Sequence, residues 1–534
     1  MRNRREQFVN IIEYFIINIF AIAACLAFYY ICGPLSLAAG DHLRYAALSK
    51  YVFNHLALWS YIPYSDFKEV IAAGRESFNY VPQIYPNYLF MYAVGFVGFL
   101  RGGIYDINSS LIWSLLCTVI AGNLLWYLIR RILMESLAVD KRWKLAASVC
   151  AFFLIYSSRL FYTTVTQPLS DTSLFLFFIL AVIFVNKDKY IYAGLSLGMG
   201  FLFRSQAVMF IPILPFLCFK SLTPRKYLKI SGVLLLFMTI FYCSDRLIFK
   251  ILTSFLSMNS YYDTQLGLMH YNSKIIFSMA KHLAFFLSHK DSYKIGYAYV
   301  LCTGILFSRK VIAAKELSVA DQCVVFALSG YVIQSFFVSY LDYLPTRYFI
   351  YYVPFIYSAI ILYIFMIPFD RLDAILNEKS WAYFRITLLT LLIAFFSSQF
   401  FVDIKETRRR YPNIEDVYKK VIKTYSHKYF DGVKYDKGNY VLVLSLDTMF
   451  GVYYFADNAG AYEGRVVVDK AKGFDFINQP YNDRFDYLLI TRPDMYPMDN
   501  KVLNASPEVI IDKNNNLFRK VMSDKFLQVW EKMS

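Results

Sequence analysis

Between Phe8 and Val402 the sequence returns repeatedly to apolar runs close to the ~20 residues that a helix needs to cross a bilayer, separated by short polar segments. A soluble core cannot absorb this pattern, because 57% of the 534 residues are hydrophobic and 19% aromatic. In hydrocarbon every backbone polar group must be satisfied within the protein, so such runs read as transmembrane α-helices. We count about eleven spans, which makes residues 1–402 a polytopic α-helical membrane region. The first run, Phe8 to Ile31, is too long for a signal-peptide core and lacks a convincing cleavage site, so it reads as a retained anchor.

The formal net charge of +16 does not point to nucleic acid, since Lys and Arg cluster at the ends of apolar runs rather than in one patch. That distribution follows the positive-inside rule, with attraction to anionic membrane lipids. Arg2, Arg4 and Arg5 place the N-terminus in the cytoplasm. The run from Asn87 to Leu100 is short for a crossing and is expected to be re-entrant or interfacial. With that assignment Arg130 to Lys144, Lys187 and Lys189, Lys220 to Lys229, Arg309 to Lys315 and Arg371 to Lys379 all fall inside. The outer loops are then 32–106, 157–170, 252–292 and 341–346. The eight cysteines lie in or beside apolar segments without a CxxC pair, so neither a disulfide framework nor a zinc site is implied.

After Val402 the chain changes character. Residues 403–534 are polar and punctuated by Gly, Asn and Asp, and are expected to form an extracytoplasmic α/β domain. Its β-rich runs are Tyr440 to Leu446, Arg465 to Val468, Tyr487 to Thr491, Glu508 to Asp512 and Leu517 to Met522. Lys513, Asn514, Asn515 and Asn516 read as a hairpin turn between the last two.

Candidate chemistry gathers on the outer face. Asp41, in Gly40-Asp41-His42-Leu43-Arg44-Tyr45, follows the first span, where partial desolvation at the membrane surface can raise a carboxylate toward general-base use. The plain alternative is an Asp capping a juxtamembrane helix. Asp171 follows Gln167-Pro168-Leu169-Ser170 and opens a span on the same face. The two carboxylates could share an acceptor or a divalent cation, although Ser170 and Asp171 are also a good helix start. Arg204 interrupts the apolar pair Tyr190 to Phe203 and Ser205 to Phe219, and Arg347 with Tyr348 stands at another outer boundary. Guanidinium groups there suit bidentate capture of a phosphate; snorkelling anchors are the alternative. His270, His282 and His289 do not have metal-motif spacing, which leaves His270 and Lys274 as contacts bordering the site.

In their order along the chain these residues resemble the GT-C superfamily of polyprenyl-phosphate-sugar glycosyltransferases, which includes protein O-mannosyltransferases and aminoarabinose transferases. The landmarks are Asp41 in a long first outer loop, Tyr85-Pro86-Asn87-Tyr88-Leu89 opening a short helix, Gln167 to Asp171, Ala193-Gly194-Leu195 to Arg204, and Arg347-Tyr348. The resemblance implies inverting transfer from a lipid-phosphate sugar to a glycan, lipid or protein acceptor. Asp41 would be the base, Asp171 a second acidic residue, and Arg44, Tyr45 and Tyr85 further substrate contacts. His42 after Asp41 and Asn87 after Pro86 depart from several branches and leave the sugar and the acceptor open. A bacterial inner membrane is the expected location. Two other classes are a lipid-linked polymerase or ligase and a flippase. The first should carry its key Arg and His residues in a large late outer loop without the early Asp41 landmark, and only the His-bearing loop keeps it open; the second should show inverted repeats and more intramembrane charge than is present.

Overall fold

The computed structural model describes residues 13–23, 88–103, 107–137, 141–166, 170–212, 223–253, 275–288, 293–312, 316–337, 346–366 and 378–410 of the membrane region. It also describes 441–444, 466–469, 487–491, 508–511, 517–523 and 527–533 of the tail, and single positions 26, 49, 53 and 515. Two compact units divide the chain: Met1–Gly33 with Tyr85–Phe90 and Leu111–Arg410, and Pro34–Ile84 with Met91–Ser110 and Tyr411–Ser534.

The membrane region is helical, and its residues 91–110 belong to the second unit. In chain order the helices are α1 (Glu13–Ala23), α2 (Tyr88–Leu100), α3 (Ile107–Ser136), α4 (Lys141–Ser157), α5 (Arg159–Thr166), α6 (Asp171–Asn186) and α7 (Tyr190–Phe203). They continue with α8 (Pro224–Thr253), α9 (Ile275–Ser288), α10 (Tyr293–Phe307), α11 (Val319–Phe337), α12 (Val353–Met366) and α13 (Glu378–Arg410). Among the described residues Asn108–Leu133, Val319–Phe336 and Ala382–Val402 are long and apolar enough to cross a membrane, and α1, α2, α6, α7 and α12 are shorter apolar helices. With 13 residues, α2 spans roughly 20 Å against a hydrocarbon core of about 30 Å, in keeping with the expected shortness of that run. Two segments expected as loops hold helices: α5 lies within 157–170 and α9 within 252–292.

Several polar side chains inside the first unit are paired, as a low dielectric favours. Asn18 and Asn123 exchange amide hydrogen bonds of 2.8 Å between α1 and α3, and Arg130 pairs with Glu13. Ser318 and Asp321 cap α11 reciprocally: the Ser318 N–H donates to Asp321 Oδ2 at 2.8 Å and the Asp321 N–H to Ser318 Oγ at 3.2 Å. The same carboxylate receives Arg309 at 3.3 and 3.4 Å and the Tyr363 hydroxyl at 2.8 Å.

Small residues let α7 and α8 approach. A Cβ on Gly194 would come within 2.8 Å of the Ile230 carbonyl oxygen and of Val233 Cβ, so the two backbones are already in contact there.

In the second unit the ring of Phe53 packs on Phe96 and Phe99 of α2, with centroids 6.4 and 5.7 Å apart. The six described strands are β1 (Val441–Leu444), β2 (Val466–Asp469), β3 (Tyr487–Thr491), β4 (Val509–Ile511), β5 (Leu517–Ser523) and β6 (Leu527–Lys532). They form one mixed sheet in the order β2-β1-β3-β6-β5-β4, with β1 parallel to both neighbours and the remaining pairs antiparallel. The turn between β4 and β5 places Asn515 at φ 62°, the left-handed conformation that Asn tolerates better than most residues. β6 was not expected from sequence; it pairs on both sides, and its Trp530 is buried.

Replacing Gly194 by alanine is expected to force α7 from α8 and destabilise the protein by about 1–3 kcal/mol. Gly304→Ala, where a Cβ meets nothing within 4 Å, should be neutral. Thermal unfolding of the two variants in detergent checks this, and equal melting temperatures would contradict the close packing.

Candidate active site

The site is built where α7 breaks. Arg204 leaves the helical conformation for an extended one (φ −160°, ψ 122°), and a 3-10 helix, Ser205–Phe210, follows. This turns the Arg204 side chain back toward the start of α6. There Ser170 stands at the N-cap position but makes no side-chain cap; its Oγ instead accepts from Arg204 Nη1 at 3.1 Å. The same Nη1 lies 2.7 Å from Asp171 Oδ2 in an ion pair, and Arg204 Nε donates to Gln206. Asp171 is 0% exposed and Arg204 7%. The negative charge at the first turn of α6 also sits favourably on the helix dipole.

A second turn closes over this pair. The 3-10 helix Thr346–Phe349 and the residues after it, leading into α12, present Tyr348 and Tyr351. The Tyr351 hydroxyl donates to Asp171 Oδ1 at 3.4 Å. The Tyr348 ring lies under two guanidinium groups, its centroid 5.3 Å from Arg204 Cζ and 5.6 Å from Arg347 Cζ.

Packing behind the pair fixes it. Trp113 Nε1 donates to Ser173 Oγ at 3.0 Å, and Ser114 Oγ to the Val165 carbonyl and to Thr172, tying α3 to the start of α6. Phe178 stacks on Phe210 at 4.3 Å, and Phe210 meets the edge of Tyr351 at 5.0 Å. Rotamers held in this way keep a charged group within the tolerance that recognition demands.

Of the residues singled out in the sequence, Asp171, Arg204, Arg347 and Tyr348 are brought together. Asp41, Arg44, Tyr45, Tyr85, His270 and Lys274 lie outside the described residues. Ser170, Gln206 and Tyr351 complete the cluster and were not expected as members. Only Ser170 carried a signal, as the polar residue before Asp171. Among the described residues no three His, Cys, Asp or Glu side chains gather as metal ligands. The described cluster itself is cationic and donor-rich: planar guanidinium forks suited to an oxyanion.

Comparison with known proteins bears on the fold. Residues 90–248, which hold Asp171 and Arg204, match the family described as Dolichyl-phosphate-mannose-protein mannosyltransferase. The crystal structure of ArnT from Cupriavidus metallidurans bound to undecaprenyl phosphate superposes with a TM-score of 0.50 at 10% identity, covering 97% of each chain. The chain has the GT-C fold. The archaeal oligosaccharyltransferase AglB from Archaeoglobus fulgidus, in complex with an inhibitory peptide and a dolichol-phosphate, is similar at TM-score 0.48 and 12% identity over 91% of this chain and 70% of that one. No curated protein matches the sequence. The resemblance drawn from ordered landmarks is thus borne out at the level of the fold, and two of those landmarks, Asp171 and Arg204, prove to be in direct contact.

Removing one member of the pair leaves a buried charge uncompensated, which typically costs 3–5 kcal/mol. Asp171→Leu and Arg204→Met are each expected to unfold at markedly lower temperature. The double variant should recover most of that loss, because an apolar pair of similar volume fits the same space. A double variant no more stable than the singles would show that the pair is not the interaction that matters.

Proposed function

We propose that the chain is a membrane glycosyltransferase that takes a sugar from a polyprenyl-phosphate donor and passes it, with inversion, to a glycan, lipid or protein acceptor on the extracytoplasmic face. The observation that carries this is the cluster of Arg204 and Arg347 on Tyr348, with Asp171 holding Arg204. Two donor-only guanidiniums at the end of membrane helices match the acceptor-only oxygens of a lipid-linked phosphate. ArnT, the structure superposed above, is bound to such a carrier, and the GT-C fold supports the same class of donor.

In this reading Asp41 removes the proton of the acceptor hydroxyl or amine as that atom attacks the anomeric carbon. The bond from that carbon to the phosphate oxygen breaks, and the polyprenyl phosphate leaves with the electron pair. Arg204 and Arg347 stabilise the charge that accumulates on the leaving phosphate, the kind of term that contributes most in a water-poor site. Asp171 works through Arg204, which it orients and neutralises, rather than on the substrate. Arg44, Tyr45, Tyr85, His270 and Lys274 would line the approach from the outer loops. The N-terminus is cytoplasmic, residues 403–534 form an extracytoplasmic domain, and the membrane is that of a bacterial cell.

The test is transfer of radiolabelled sugar from polyprenyl-phosphate donors by the purified protein in detergent, wild type beside Asp41→Asn. The variant should lose at least about a hundredfold in rate at unchanged melting temperature, the usual scale of a lost general base. Full activity in the variant would remove Asp41 from the mechanism. Absence of turnover with any common sugar would favour a lipid-linked polymerase, ligase or flippase instead.

A further inference from the structure

Near the C-terminal end of α11, Gln334 is 1% exposed. Its Nε2 faces the Tyr348 carbonyl oxygen and the Tyr352 hydroxyl, each at 3.4 Å, while its Oε1 accepts no hydrogen bond from the described residues. Tyr299 of α10, which shares the neighbour Phe349 with Tyr352, is 5% exposed, and its hydroxyl likewise has no partner among the described residues. Aromatic rings surround the group: Phe349 lies 6.1 Å from Tyr352, 6.5 Å from Tyr299 and 4.6 Å from Phe286. α11 can hold Tyr352 this tightly because residue 330 is glycine; a Cβ there would come within 2.2 Å of the ring.

A buried acceptor without a donor carries an uncompensated desolvation cost, and native structures keep few of them. Here two unpartnered polar groups border the same pair of rings, Phe349 and Tyr352, a mostly apolar setting with a few placed polar groups as in small-molecule sites. The place matters as well, since the carbonyl that Gln334 faces belongs to Tyr348, whose ring carries both guanidiniums. The two halves have opposite chemistry. Guanidiniums only donate and so suit phosphate oxygens, whereas the Gln334 Oε1 only accepts and has no use for a phosphate. It requires a hydroxyl or an N–H.

We infer that Gln334 and Tyr299, set beside the Phe349 and Tyr352 rings, form a subsite for the hydroxyl groups of the donor's sugar, adjoining the arginines that take its phosphate. The inference rests on the reading of the chain as a polyprenyl-phosphate-sugar transferase. It assigns sugar recognition to α10 and α11.

Affinities of the purified full-length protein for bare polyprenyl phosphate and for polyprenyl-phosphate-mannose, -glucose and -galactose, measured for wild type, Gln334→Leu and Tyr299→Phe, test it. The wild type should bind at least one sugar-bearing probe more tightly than the bare phosphate. Each variant should lose about five- to tenfold for that probe alone. Affinity for bare polyprenyl phosphate should not change, and the melting temperature should stay the same or rise, because an orphaned polar group has been removed. The inference is overturned if the sugar preference survives both substitutions or if the wild type shows none. It is also overturned if melting temperature and bare-phosphate affinity fall together, the signature of a structural network closed by buried water. A wild type that binds not even bare polyprenyl phosphate would instead bring down the transferase reading itself.

Discussion

The contact between Asp171 and Arg204 joins two places where the chain must abandon regular helix. A guanidinium held at 7% exposure among apolar helices has lost most of its hydration, and only a buried carboxylate with further hydrogen bonds makes that tolerable. Asp171 supplies the charge, while Ser170 and Gln206 take up other donors of the fork. Because the partner is the first residue of α6, Arg204 has to reach backward, and it does so by ending α7 in an extended conformation. The break, the 3-10 helix after it and the start of α6 therefore form one unit, and the turn bearing Tyr348 and Tyr351 is seated on it.

Aromatic packing makes this arrangement single-valued. Phe178 contacts Phe210, Phe326, Tyr351 and Phe355, and so bridges α6, the 3-10 helix after Arg204, α11 and the entry to α12. A shift of any one of these elements would have to move the others, since a close-packed interior does not deform gradually.

How much of this the sequence disclosed depends on the range of the interaction responsible. The break at Arg204 was legible because a cation in an apolar run is a local anomaly, and the apolar segment before it matches α7 from Tyr190 to Phe203. The hairpin at Asn515 was legible because turn residues act within four positions. β6 was not: Gln528, Glu531 and Lys532 among its apolar residues resemble a surface segment, and only pairing with both β3 and β5 makes it a strand. α5 and α9 were hidden in the same way, inside stretches judged by their outer position rather than their periodicity. The partnership of Asp171 with Arg204 and Tyr351 spans up to 180 positions of chain, and no pattern in one sequence announces it. Ser170 looked like a cap and occupies the cap position, yet its hydroxyl serves Arg204.

That last detail bears on what Arg204 is for. An arginine that merely anchors a membrane helix snorkels: its stem lies along apolar surface and its head reaches water or lipid headgroups. Arg204 does the opposite, folding its head into the protein against a fully buried Asp and diverting a helix cap to hold it. Such an arrangement costs stability relative to an apolar pair of the same volume. Ionisable residues kept at such depth usually mark a path or site for a charged ligand. The adjoining Tyr348, with a second guanidinium on the same ring, extends the arrangement into a cationic surface whose geometry the surrounding packing already fixes, the preorganisation that capture of an anion would need.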